Sequence, residues 1–130
     1  RPIKSFNIGG YEMIRDLAQI KATLAAITPR SFLEQAEENT TRPYLVWTIG
    51  DSYTELGDTA ELTIEVFDYS EDATLVEAMA DLVEEGLKRK NILTATELYR
   101  FTKRTRQTIP DPDAMVRRRE LKYQVKIYRV

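Results

Sequence analysis

The chain has 130 residues, 42% of them hydrophobic and 31% charged, with no cysteine, no histidine and a formal charge of −2. That length builds one hydrophobic core, and without Cys or His it has no disulfide, thiolate nucleophile, imidazole base or nitrogen-and-sulfur zinc site. Catalysis would be left to carboxylate–metal or Ser/Lys chemistry, and the longest apolar runs, Leu24 to Ile27 and Tyr44 to Trp47, fall far short of the roughly 20 residues of a membrane span.

Residues 1–10, with Pro2 and the Gly9-Gly10 pair, carry no periodicity and are expected to form an N-terminal arm, leaving 11–130 as a single domain. From Tyr11 to Ile27 the apolar positions Met13, Leu17, Ile20, Leu24 and Ile27 recur at spacings of four and three, which predicts an amphipathic helix ended by Thr28-Pro29. A short strand is expected over Ser31 to Ala36, and Tyr44 to Ile49 reads as a well-covered strand with Pro43 at its first edge. Gly50 to Asp58 then forms a long hairpin tip leading to the strand Ala60 to Tyr69, whose faces are Leu62, Ile64 and Val66 on one side and Thr63, Glu65, Phe67 and Tyr69 on the other.

Ser70 is the expected N-cap of a second helix, with Glu71 and Asp72 in its first turn, an apolar stripe of Val76, Met79, Ala80, Val83 and Leu87, and Asn91 as a left-handed cap. Thr94 to Gln107 and Met115 to Val130 read as two further strands around the turn Ile109 to Asp113. The alternation of Leu121, Tyr123, Val125 and Ile127 with Lys122, Gln124, Lys126 and Tyr128 is the cleanest period-2 signal in the chain. The order α-β-β-β-α-β-β is an α+β plan, with two helices packed on one face of a mainly antiparallel sheet. The rings Phe67, Tyr69, Tyr99, Phe101 and Tyr128 are assigned to the outer face, where either a partner or the second helix would cover them.

Pro110-Asp111 followed by Glu120-Leu121-Lys122 has the residue order of metal-dependent nucleases, in which two carboxylates hold the metal and a lysine helps activate water. Asp111 falls in a turn and Glu120 well into the next strand, roughly 20 Å away at about 3.3 Å per residue. That separation defeats convergence. No metal site, cofactor or enzymatic activity is therefore expected, and no Gly-rich stretch precedes a helix in the manner of a nucleotide site.

The net charge hides an asymmetry. Residues 1–85 carry 6 Lys+Arg against 17 Asp+Glu, whereas residues 86–130 carry 13 against 4. Such a division fits a bipolar surface that meets a second copy, a basic face for nucleic acid, or charges that interleave as the strands pair. The basic group is Lys103, Arg104, Arg106, Arg117, Arg118 and Arg119, at one end of the last hairpin. With Phe67, Tyr69, Glu84 and Glu85 these are the candidates for a subunit interface or a DNA-facing surface. Contact with the acidic surface of a neighbouring subunit is the favoured reading, with phosphate contact and edge protection as alternatives. On that reading Arg117→Glu combined with Arg119→Glu weakens assembly and leaves the monomer folded.

The strand Arg42-Pro43-Tyr44-Leu45-Val46-Trp47, the Gly-Asp-bearing loop, the stretch Ala60-Glu61-Leu62-Thr63-Ile64-Glu65-Val66-Phe67 and the closing strand Leu121 to Tyr128 resemble the tail terminator, or tail completion, proteins of long-tailed bacteriophages. The resemblance runs from about Tyr11 to the C-terminus. It implies a non-enzymatic virion protein, assembled in the host cytoplasm and placed at the junction of tail and neck. There a homo-hexameric ring would cap the tail tube protein, stop tube polymerisation and dock the head-completion or connector protein, with genome DNA passing through the lumen. A neck component of the same fold and a basic-faced nucleic-acid binder are the alternatives.

Overall fold

In the computed structural model, residues 4–8, 11–15, 17–28, 30–33, 36, 42–54, 57–95 and 97–129 are described. Two helices and a six-stranded sheet follow one another in the expected α+β order, preceded by a small hairpin and with one extra short strand. The hairpin pairs β1 (Lys4–Ile8) with β2 (Tyr11–Arg15), antiparallel from Lys4↔Arg15 to Ile8↔Tyr11. This corrects two expectations: residues 4–8 are strand rather than irregular arm, and α1 begins only at Leu17, running to Ile27. A four-residue spacing such as Met13 to Leu17 fits period 2 as well as period 3.6. Gly9-Gly10, a pair of turn-forming composition in the sequence, lies outside the described residues.

The large sheet runs β3 (Ser31–Leu33), β4 (Tyr44–Thr54), β5 (Gly57–Tyr69), β8 (Val116–Arg129), β7 (Glu97–Thr108) and β6 (Asn91–Leu93) in spatial order. Only β3–β4 is parallel; the other pairs are antiparallel. β4 and β5 continue to Thr54 and Gly57, so the hairpin tip expected over residues 50–58 is mostly ladder. The most regular alternation in the sequence belongs to β8, which has full-length neighbours on both sides.

Helix α2 (Thr74–Leu87) buries Val76, Met79, Ala80, Val83 and Leu87, the stripe read from sequence. Beneath it lie Leu62, Ile64 and Val66 of β5 and Leu121, Tyr123, Val125 and Ile127 of β8, with Ile20 and Leu24 of α1 in the same core. α1 reaches α2 where Gly86 leaves room: a Cβ there would stand 2.6 Å from Cγ1 of Ile27.

The ends of α2 differ from expectation. Ser70 does not cap the helix; its hydroxyl accepts from Asp72 N at 3.4 Å, and Asp72 Oδ1 accepts from Thr74 N at 3.0 Å, so successive short polar turns delay entry to Thr74. At the other end the left-handed residue is Arg89 (φ 52°), and Asn91 already opens β6.

The rings divide between the two faces. Phe67, Tyr69 and Tyr128 lie on the face without helices, whereas Tyr99 and Phe101 are buried in the core. The register explains it, since Tyr99↔Ile127 and Phe101↔Val125 put both rings level with helix-covered partners.

Candidate functional site

α2 brings the two charge groups together. Glu77, Asp81 and Glu84 recur at spacings of four and three, so they share a helix face beside the apolar stripe. That face overhangs the end of the β7–β8 hairpin. The Arg106 guanidinium donates to Asp81 Oδ1 at 2.8 Å, Glu84 Oε2 at 2.9 Å and Glu77 Oε2 at 2.5 Å. Arg119 Nε donates to Glu77 Oε1, its own NH1 donates to the Arg118 carbonyl at 2.9 Å, and Lys103 Nζ reaches Glu84 Oε1 at 3.0 Å. Between helix and hairpin, Glu77, Glu84, Lys103, Arg106 and Arg119 line a cleft of about 420 Å³.

On the opposite, helix-free face, Arg118 donates to Glu65 Oε2 at 3.0 Å, lies 3.9 Å from Asp111 and stacks over Phe67 at 5.3 Å. Phe67 stacks in turn on Tyr44, with ring centres 5.4 Å apart, and the Arg42 guanidinium lies 5.6 Å from the Tyr69 ring. Arg117 ties the β5–α2 turn, donating to the Ser70 and Glu71 carbonyls at 3.2 and 2.6 Å. Arg104 sits at the register irregularity between Lys103 and Thr105, exposed. Glu85 is exposed as well.

The sequence reading assigns the carboxylate partners to a neighbouring copy; in the folded chain α2 and β5 supply them. Lys103, Arg106, Arg119 and Lys122 from the basic half pair with Glu61, Glu77, Asp81 and Glu84 from the acidic half, and Arg118 pairs with Glu65. Sequence reasoning missed Glu77 and Asp81. Their signal was present as the four-three spacing with Glu84.

Of the nuclease-like trio, Asp111 faces Arg118, Glu120 accepts from Gln107 Nε2 at 2.9 Å, and Lys122 stands 3.8 Å from Glu61. Among the described residues, no three acidic side chains are placed to hold a metal.

The hydrogen bond from Arg119, followed by the charges of Arg119 and Arg106, holds the Glu77 carboxyl below its ordinary value of 4.5 against the opposing effect of burial. The hydrogen bonds that Arg106 donates to Asp81 and then to Glu84 hold its guanidinium more firmly charged than usual, against the opposing effect of burial. Burial, and then the charge of Glu84, pushes the Tyr123 phenol up to about 12.

Because Glu77 binds its proton more weakly in the folded chain, its contribution to stability is complete above about pH 4.5. It is lost as pH falls through the depressed folded value. Urea unfolding from pH 6 down to pH 3 should show wild type losing about 0.5–1 kcal/mol more than Glu77→Gln, a size discounted for the half-exposed carboxylate.

No family model matches the chain, and no curated protein matches it. Among solved structures, a chain of the virion of a native gene transfer agent (GTA) particle is similar, with a TM-score of 0.60 and 15% identity over 85% of this chain and 90% of that chain. At that identity the likeness is one of fold, shared with a chain of a virion particle over most of both chains.

Proposed function

We propose that this chain is a structural virion protein of the tail terminator type. Copies close into a six-membered ring on the head-proximal end of a tail tube, stop its polymerisation and present the surface on which the head-completion protein docks. The observation that carries this reading is the fold shared with a gene transfer agent virion chain, covered at 90% of its own length. The resemblance read from Ala60 to Phe67 and from Leu121 to Tyr128 supports it independently. Both sheet-edge strands are only three residues long, so among the described residues the longer strands behind them, β4 and β7, keep outer stretches that a neighbouring copy can complete.

A ring requires a heterologous contact, one patch meeting a different patch on the next copy. Negative-stain micrographs and mass photometry of the purified protein, alone and with isolated tail tubes, should show closed hexamers. Monomers in both conditions would sink the proposal. A neck component of the same fold is separated by deleting the protein: a terminator leaves overlong tails, whereas a neck component leaves finished tails that cannot join heads. Duplex DNA binding that weakens steeply with salt would instead favour the basic-faced reading.

A further inference from the structure

Both lateral edges of the large sheet are half covered. β3 lies along β4 only from Leu45 to Trp47, so from Thr48 to Thr54 β4 has no strand on its outer side among the described residues. β6 lies along β7 only from Leu98 to Arg100, with Phe101 N donating to the Lys90 carbonyl just beyond. Thr102 to Thr108 therefore have no outer strand among the described residues.

The register places these two bare stretches at opposite ends of the sheet. One row runs Ser31, Leu45, Val66, Arg119, Thr108. Another, toward the other end, runs Ser52, Thr59, Lys126, Arg100, Asn91. Both rows contain five strands, but the second is displaced sideways by one strand. Among the described residues the outline is stepped: each side has a projecting strand and a recess, and each projection stands level with the recess on the opposite side.

When two copies stand side by side in the same orientation, β3 of one is level with Arg106 to Thr108 of the next, while β6 of the second is level with Ser52 and Tyr53 of the first. Each projecting strand also ends in an exposed leucine, Leu33 at 39% and Leu93 at 70% of full exposure.

We propose that these stepped edges form the joint between copies, with the three-residue strands β3 and β6 each completing the neighbour's sheet. The inference rests on the ring reading and specifies its contact. Main-chain pairing would supply the affinity and the recesses the register. The contact is head-to-tail, so it repeats from copy to copy and closes when the angle between copies permits.

Unpaired edges are commonly guarded by charge and by bulges. Here the irregularity and the exposed Arg104 lie between Lys103 and Thr105, in the middle of β7, away from the last three residues of the strand. Lys103 and Arg106 are drawn to the α2 carboxylates, so the recess is not a bare cationic edge.

The chain is free of cysteine, so a designed pair reports without background. Ser31→Cys and Thr108→Cys in one chain become near neighbours only across the joint, at the separation of paired strands, within disulfide reach. Mild oxidation should give a ladder of linked multimers on a non-reducing gel, ending at the ring number, whereas either single variant should give no ladder. Leu93→Asp, on a side chain already exposed, should leave the monomer folded by circular dichroism and raise the concentration needed for assembly at least tenfold.

Rings that form normally with Leu93→Asp and yield no Ser31–Thr108 ladder would overturn the joint and leave the ring standing. Absence of any oligomer, alone and on tail tubes, together with absence of the ladder, would remove both.

Discussion

Reversing the charge of Arg119 to Glu is expected to destabilise the monomer itself by about 1.5–3 kcal/mol, less than the cost of breaking a fully buried ion pair because the Glu77 side of this one is 44% exposed. The Arg119 side chain is 11% exposed, and its Nε donates to Glu77, which also binds Arg106. A carboxylate at position 119 would face Glu77 with like charge and leave part of the network without a counter-charge. Chemical denaturation followed by the fluorescence of the single tryptophan, Trp47, measures the loss. Arg119→Leu, which removes the charge but keeps bulk, should cost less, and combining it with Glu77→Gln should recover about 1 kcal/mol of the sum. Equal stability of Arg119→Glu and wild type would mean that the α2–hairpin network contributes nothing to folding.

This result changes how the basic cluster is to be probed. The pair Arg117→Glu and Arg119→Glu, chosen from sequence as an interface test that spares the monomer, removes in the structure an ion pair to α2 and the tie that Arg117 makes to the β5–α2 turn. Lost assembly in that variant would report unfolding. Arg104, exposed at the strand irregularity, is the cation whose reversal leaves the fold within about 0.5 kcal/mol.

Trp47→Ala is expected to cost about 3–5 kcal/mol, the range for emptying a large buried aromatic site. Trp47 is 1% exposed, stands level with Ile64 on β5 and belongs to the core that α1 and α2 cover. It lies on a strand paired on both sides, to Leu33 and to Ile64, so the backbone around it has little freedom to collapse into the cavity. Its Nε1 has no hydrogen-bond partner among the described residues, so Trp47→Phe gives up no hydrogen bond. That variant should cost about 1–2 kcal/mol, mainly in lost volume. Thermal unfolding by circular dichroism ranks the two, and a Phe variant as damaged as the Ala variant would show that the indole nitrogen holds a bond of its own.

Local periodicity carried most of the fold. The α2 stripe from Val76 to Leu87, the alternation of β8 and the faces of β5 were all legible, because burial on one side of an element repeats at that element's own period. Where two periods coincide, as at Met13 and Leu17, sequence could not separate strand from helix, and pairing with residues 4–8 decided it. The faces of Tyr99 and Phe101 were likewise open. A strand's alternation states which residues share a side but not which side a helix will cover, and register with Ile127 and Val125 resolved that.

The charge division followed the same pattern. Sequence by itself determined that the acidic and basic groups occupy different halves of the chain; the spacing of Glu77, Asp81 and Glu84 that puts them on one face of α2 was in it but went unread. Tertiary structure alone decided that this face lies over the β7–β8 hairpin, so that most of the cluster is satisfied within one chain. It also decided that, among the described residues, the sheet's two sides are stepped in matching sense, a property of pairing across five or six strands. The reason is physical: side-chain periodicity is set by neighbours a few residues apart, whereas the ion pairs that join α2 and β5 to the last hairpin link residues 19 to 61 positions apart, brought together only when the core closes.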